Sequence, residues 1–371
     1  MGSAWRWAWL LAGAAALAAS PATTCAESAE QAAVPGQYFY GPLRARDISP
    51  FGYLRLDMRP AFAGSLTPGT WTVEAELAYQ NTWALSDEVE KYLQARGARR
   101  SLTAEDVAAI AALPGENYLV DLELLELGVT LHRQLTPSWG AFATLGGVVY
   151  GGGALDGLVE QFHSTFGMSD RGRATVPRGQ INVVVDLDSA RTANLDAEQR
   201  SGLLDPTLGI RYSGIELPAP WSLALEAAVK LPLGGTRDWL STGRTDFGAQ
   251  ASLMRRGARH AFFSSLSLVD YAGSTEELHP GEELVPTLVF GLDSHLTGRT
   301  HSVVQFYASP SVFGADETSL DELNADKFLL SLGLRHHRGP HLVSFGVTEN
   351  LGNYNNTPDI AFQVGYAYRP Q

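Results

Sequence analysis

Cysteine is almost absent from this chain: the only one is Cys25. Long apolar runs are scarce too, because the one candidate, Trp7–Ala19, is too short for a membrane-spanning helix. Positive charge is also in short supply, with 27 Lys+Arg against 40 Asp+Glu and a formal charge of -13. That balance argues against nucleic acid as a partner. No glycine loop for phosphate, zinc-ligand spacing or nucleotide motif is present, and no cofactor is expected.

Each scarcity narrows the reading. Arg6, the apolar run and the small residues after it read as a secretory leader over residues 1–26, cut after Ala26. Cys25 then leaves with the leader, which excludes disulfide and thiolate chemistry from the mature chain. The alternative, a lipoprotein Cys25, sits poorly with Thr24 directly before it.

Glycine and aromatics are plentiful, with 38 glycines and 10% Phe, Trp and Tyr. Their placement has a period of two. In "WTVEAELAYQNTW", Trp71, Val73, Ala75, Leu77 and Tyr79 alternate with Thr72, Glu74, Glu76, Ala78 and Gln80. A strand sends alternate side chains to opposite faces, so one face is apolar and ends in tryptophan. A transmembrane barrel strand needs about 9–11 such residues between aromatic girdles. "WSLALEAAVKLPL", "TDFGAQASLM", "KFLLSLGLRHH" and "DIAFQVGYAYR" repeat the pattern.

Twelve such segments fall near 71–83, 118–132, 139–150, 206–217, 221–233, 245–256, 261–272, 286–297, 301–310, 327–338, 342–351 and 359–369. Short connections ("LTPS", "PAP", "RRGAR", "TGRT", "RGP") alternate with long ones at 84–117, 151–205, 234–244, 273–285, 311–326 and 352–358. The short turns gather Arg255, Arg256, Arg259, Arg299 and Arg338, while "GSTEELHPGEEL" and "GADETSLDELNAD" are acidic. An even strand number, short turns at one end and long loops at the other describe an outer-membrane β-barrel over residues 67–371. Such a barrel would meet outer-membrane lipid and lipopolysaccharide, and would be inserted by the barrel assembly machinery.

"YGGGALDGLVEQFHSTFGMSDRGR", "GPLRARDISPFGYLRL", "WTVEAELAYQNTW" and "NNTPDIAFQVGYAYRP" resemble an uncharacterised bacterial family, protein of unknown function 3187, whose members look like outer-membrane barrels. The "LDGLVEQFHSTFG" stretch is the most specific of these. The resemblance implies fold and location and brings no substrate or catalytic residue.

In that stretch Leu155, Leu158, Val159, Phe162 and Phe166 recur at helix spacing, with Asp156, Glu160 and His163 on the polar side. A helix covering the barrel mouth, as a structural cover or a gate, is expected, its apolar face covered by the mouth, by other loops or by outer-leaflet lipid. The catalytic alternative is a lipid hydrolase with His163 as base and Ser164 or Ser169 as nucleophile, but no motif here fixes that geometry. A calcium site from Asp156, Glu160 and Asp170 lacks regular ligand spacing. Residues 84–117 read as a helical hairpin over the mouth, with Ser86 and Thr103 as starts. "RGARR" is a solvated surface or a contact for lipopolysaccharide phosphates.

The inward face is expected to carry Glu74, Glu76, Glu226, Lys230, Asp246, Gln250, Asp293, His295 and Arg335, a polar lumen that a small solute would pass through or bind to. A twelve-strand barrel is narrow, so side chains alone are an alternative seal. His336, His337 and His341 fall at a short turn and are read as solvated. Residues 27–66 resist a regular reading because Pro35, Pro42, Pro50 and Pro60 oppose helix. "FGYLRLDM" is either an added strand or part of a segment tucked against or into the barrel. The functional readings left open are a small-solute barrel with a restricted mouth, a lipid hydrolase, and a structural or assembly barrel.

Overall fold

A computed structural model describes residues 39–64, 66–167, 169–189, 191–233, 239–273, 283–314, 317–352 and 355–370. The expected leader and its cut after Ala26 lie outside the described residues.

Fifteen strands form one antiparallel sheet. They are β1 (Trp71–Leu85), β2 (Asn117–Gln134), β3 (Trp139–Gly151), β4 (Asn182–Asp186), β5 (Arg191–Asn194), β6 (Arg200–Leu203), β7 (Thr207–Tyr212) and β8 (Trp221–Lys230). Then come β9 (Asp246–Arg256), β10 (His260–Tyr271), β11 (Glu283–Thr297), β12 (Thr300–Ser309), β13 (Lys327–Arg338), β14 (His341–Asn350) and β15 (Ile360–Tyr368). Twelve of them close a transmembrane barrel, because β1 pairs with β15 from Val73 opposite Tyr368 to Asn81 opposite Ile360. Closure leaves no open edge in the wall, which a sheet in lipid requires.

The alternation read from the sequence sets the faces. On β1 the even residues Thr72, Glu74, Glu76, Ala78, Gln80 and Thr82 are buried, while Trp71 and Leu77 are exposed. A one-residue slip would reverse every side chain, so the greasy outer face fixes the register. The outer surface carries Leu127, Leu145, Ile210, Leu266, Leu292, Val304, Leu332, Phe345 and Val364. At the short-turn end, Arg133 stacks over Trp71 and Arg255 over Trp221, and the rings of Trp139 and Tyr212 lie 4.8 Å apart. Such amphipathic aromatics belong at a membrane interface. Among the described residues no helix is long and apolar enough to cross a membrane.

Three short strands were not anticipated. In the longest connection, β4 adds to the end of β2, β5 to β4, and β6 to β3. They are too short to show a clear period; β4 and β6 pair beside the loop ends of wall strands, and β5 pairs with β4. The expected strand over 206–217 is also shorter, ending at Tyr212.

The helices correct a second expectation. Helices α1 (Asp87–Arg96) and α2 (Ala104–Ala111) form the expected hairpin. It packs beside the rim, not over the mouth. Trp83, Leu85 and Leu119, its partners in one apolar cluster with Val89, Leu93, Leu102 and Ile110, share the outward face of β1 and β2 with Leu77 and Leu127. Helix α3 (Asp156–Phe166) begins on the same outer face, and α4 (Asp321–Asn324) is a single turn. At the top of β1 and β2 the outward residues Trp83, Leu85 and Leu119 are apolar and need a cover that lipid does not provide, while Asn81 and Glu123 beside them are polar and hydrogen-bonded.

Candidate functional site

The lumen is occupied by the chain itself. Residues 39–64 form bends and turns without strand or helix, and bury Phe39, Tyr40, Leu43, Phe51, Tyr53, Leu54, Leu56 and Met58. The segment enters at the short-turn end, where Arg369 donates to the Tyr40 carbonyl. It climbs to a turn over residues 50–55 near the long loops, packing Phe51 against Phe313 and Tyr118. It then descends to Gly64, whose carbonyl accepts from Arg211 at 3.0 Å, and joins β1. Gly52 makes the turn at φ +82°, and a Cβ there would come within 2.7 Å of Val312.

Pro42, Pro50 and Pro60 deny this segment a ladder of its own, so its buried backbone groups need partners from the wall. The inward polar residues supply them. Asp293 accepts from the Tyr40 N–H, and Arg335 donates to the carbonyls of Gly41 and Pro42. Lys230 donates to the Leu54 carbonyl at 2.9 Å and pairs with Asp246 at 2.8 Å; Asp246 accepts from the Leu56 N–H at 2.7 Å. Gln250 donates to the Arg59 carbonyl at 3.2 Å and to Glu226 at 3.1 Å.

The segment's own side chains complete the fit. Arg44 pairs with Glu74 at 3.1 Å, and Arg59 with Glu126. Asp47 meets Lys327 at 2.7 Å, and Arg55 donates to the Tyr307 hydroxyl at 2.9 Å. Glu76 lies with Arg44 and Arg59 around a small cavity of about 40 Å³. Three inward glycines make room: a Cβ on Gly128, Gly248 or Gly333 would meet Arg59, Met58 or Leu43 within 3.0 Å. A space left near Arg46, Asp57, Glu126 and Glu226 is about 60 Å³. At about 10–15 Å³ per water, that is a pocket for a few waters.

Of the nine expected inward residues, eight are buried and His295 is half-buried. His295 stacks edge-on with His301, which itself packs against Phe39 and His337 and pairs with Asp293 at 2.8 Å. Lys327, Arg211, Glu126, His301 and Arg369 escaped the sequence reading. For Glu126 the signal was charge complementarity, because Arg44, Arg46, Arg55 and Arg59 crowd a short segment that precedes the wall, and for Lys327 it was Asp47 in the same segment.

The α3 residues are elsewhere. Asp156 accepts from Asn81 at 3.3 Å and from the Gly179 N–H at 2.9 Å, and pairs with Arg173 at 3.4 Å. Glu123 accepts from the N–H groups of Ala154 and Leu155, both at 2.8 Å. Glu160 binds Arg99 and Arg178, so burial, which would raise its carboxyl, is outweighed and the group stays below the usual carboxylate range. Val159 is buried, Leu155 half-buried, and Leu158, Phe162 and Phe166 are exposed. The His163 ring lies tilted to Phe162 at 6.3 Å, and its buried Nδ1 has no hydrogen-bond partner among the described residues. No hydrogen bond brings Ser164 or Ser169 to it among the described residues. Asp156 and Glu160 hold the loop together, and among the described residues no group of three His, Cys, Asp or Glu is placed to hold a metal ion.

No curated protein matches the chain. Among solved structures, an outer-membrane channel of the COG4313 group from Pseudomonas putida F1 is similar at TM-score 0.48 and 11% identity, over 84% of this chain and 99% of that one. The NanC porin follows at 0.40 and 8%, over 81% and 100%. The toluene transporter TbuX of Ralstonia pickettii gives 0.37 and 8%, over 82% and 90%. A family model matches residues 93–369, and the chain belongs to that family, protein of unknown function (DUF3187).

Proposed function

We propose that this protein sits in the bacterial outer membrane, short turns in the periplasm and long loops outside, and passes or binds a small solute under the control of residues 39–64. One observation carries the reading. Side chains of the wall hold the segment, Asp246, Asp293, Lys230, Arg335 and Lys327 among them, and none of its described residues belongs to the sheet. A segment held this way can leave or shift without opening any wall ladder, whereas a β-paired plug could not. The lumen it would vacate is lined by both signs of charge, which suits a small polar solute.

The seal favours one rival, a structural or assembly barrel whose partners are lipopolysaccharide and other envelope proteins, including the barrel assembly machinery. Liposome swelling separates the two. Faster uptake of small sugars after Lys327→Met and Arg335→Met together, with the barrel still folded by gel mobility, supports a solute route. Unchanged uptake after complete removal of residues 39–64 supports the structural reading.

A further inference from the structure

The outer face of the rim holds an apolar feature that the filled lumen does not use. On β1 the outward residues are exposed or half-exposed from Trp71 to Tyr79, and covered from Asn81 onward. On β2 the change falls between Leu125 and Glu123. About nine strand residues beyond the girdle span a hydrocarbon layer, so the covered zone begins where the outer leaflet ends.

Helix α3 starts at that level. Its first turn is fixed there by Glu123 and Asp156, and Glu160 is tied to Arg99 and Arg178. With that side pinned, Leu158, Phe162 and Phe166 form a ridge at i, i+4 and i+8, 53%, 49% and 66% exposed. The rings of Phe162 and Phe166 lie 4.7 Å apart.

We propose that α3 is an interfacial helix, with this ridge seated in the outer-leaflet lipid. The occupant follows from position and charge. Helix α3 comes directly after β3, whose outward Leu145 is exposed like Leu127 on the neighbouring β2, and Glu123 of β2 holds the helix's first turn. Two guanidinium groups, Arg99 and Arg178, share the single carboxylate of Glu160, leaving one net positive charge for the phosphates of the same lipid. An amphipathic helix with large apolar residues on one face and Arg beside the other lies in a membrane interface. The inference rests on the outer-membrane reading above.

The test uses the full mature chain refolded into phosphatidylcholine vesicles, with an environment-sensitive fluorophore on Phe162→Cys. Glu105→Cys on α2 reports solvent, and Leu145→Cys on the wall reports hydrocarbon. The Phe162 label is expected to shift to the blue and to be quenched by lipids spin-labelled near the headgroup, while the Glu105 label is not. Adding lipopolysaccharide is expected to deepen the shift, and Arg178→Gln to remove that increment. A Phe162 label that behaves like Glu105, with Leu145 quenched normally, overturns the proposal. So does a blue shift that depends on protein concentration in detergent, which would mean a second copy covers the ridge. An unquenched Leu145 label removes the membrane reading itself, and this inference with it.

Discussion

Lys327 Nζ, on the first residue of β13, lies 2.7 Å from Asp47 Oδ2 in the N-terminal segment, and neither side chain keeps any solvent exposure. The same ammonium group donates to the Ser49 hydroxyl at 3.0 Å and the Phe51 carbonyl at 2.7 Å. A buried pair is costly to form, but removing one member is costlier, at about 3–5 kcal/mol, because the other is left charged and unpaired. Lys327→Met is therefore expected to unseat the turn over residues 50–55. Trypsin cleavage after Arg55 or Arg59 should rise steeply, and the double variant Asp47→Asn with Lys327→Met should recover most of the protection. Equal cleavage in wild type and Lys327→Met would remove the pair from the seat.

Shape makes an independent demand. Gly248 faces the lumen, and a Cβ there would lie 2.8 Å from Met58 Sδ. Gly248→Leu adds volume without touching a charge, and overpacking typically costs about 1–3 kcal/mol. The segment is expected to loosen while the barrel wall stays intact, seen as faster trypsin cleavage with unchanged heat-modifiable gel mobility. Cleavage at the wild-type rate would mean that Met58 does not lie against β9.

The two results would bear on different parts of what the sequence made legible. The wall was readable because each strand has a lipid side, so alternation in segments such as Trp71–Trp83 gives face and register together. The three loop strands lacked that signal, since β5 and β6 are four residues each and face water or other loops. The helices of residues 84–117 were readable from their starts, but not their side of the rim. That choice depends on Trp83, Leu85 and Leu119 continuing the outward face past the bilayer, which a count of strand residues against hydrocarbon thickness reveals. The lumen residues were found one by one, and a segment tucked into the barrel was one of two readings of residues 27–66, but its prolines erase any period that would have chosen between them.

Asp106 gives a pH test outside the membrane. Burial alone would raise its carboxyl, but hydrogen bonds from Arg100, Tyr92 and Thr103 hold it well below the usual value of 3.8. A lowered folded value means its contribution is complete above that value and is lost as pH falls through and below it. Amide-exchange protection of Val107 and Ile110 should stay level at neutral and mildly acidic pH and fall under stronger acid. Asp106→Asn should remove that pH dependence and weaken α2 at neutral and mildly acidic pH, because an amide with one oxygen cannot accept from Arg100, Tyr92 and Thr103 together. Protection that already declines at mildly acidic pH would contradict this.

Leu266, 39% exposed near the middle of β10, faces outward, whereas its neighbour Ser265 faces inward and bonds Ser252. An arginine on the lipid side at mid-bilayer costs about 2–4 kcal/mol. Leu266→Arg is expected to lower folding stability in vesicles by that order, measured by denaturant titration. No loss would mean that this face does not meet hydrocarbon.

The most direct measurement is single-channel conductance in a planar bilayer, comparing a chain beginning at Glu27 with one that also lacks residues 39–64. The intact protein is expected to be silent or to open only in brief events, and the shortened one to carry steady current. Steady current through the intact protein, unchanged by the deletion, would contradict the claim that its own N-terminal segment closes the lumen.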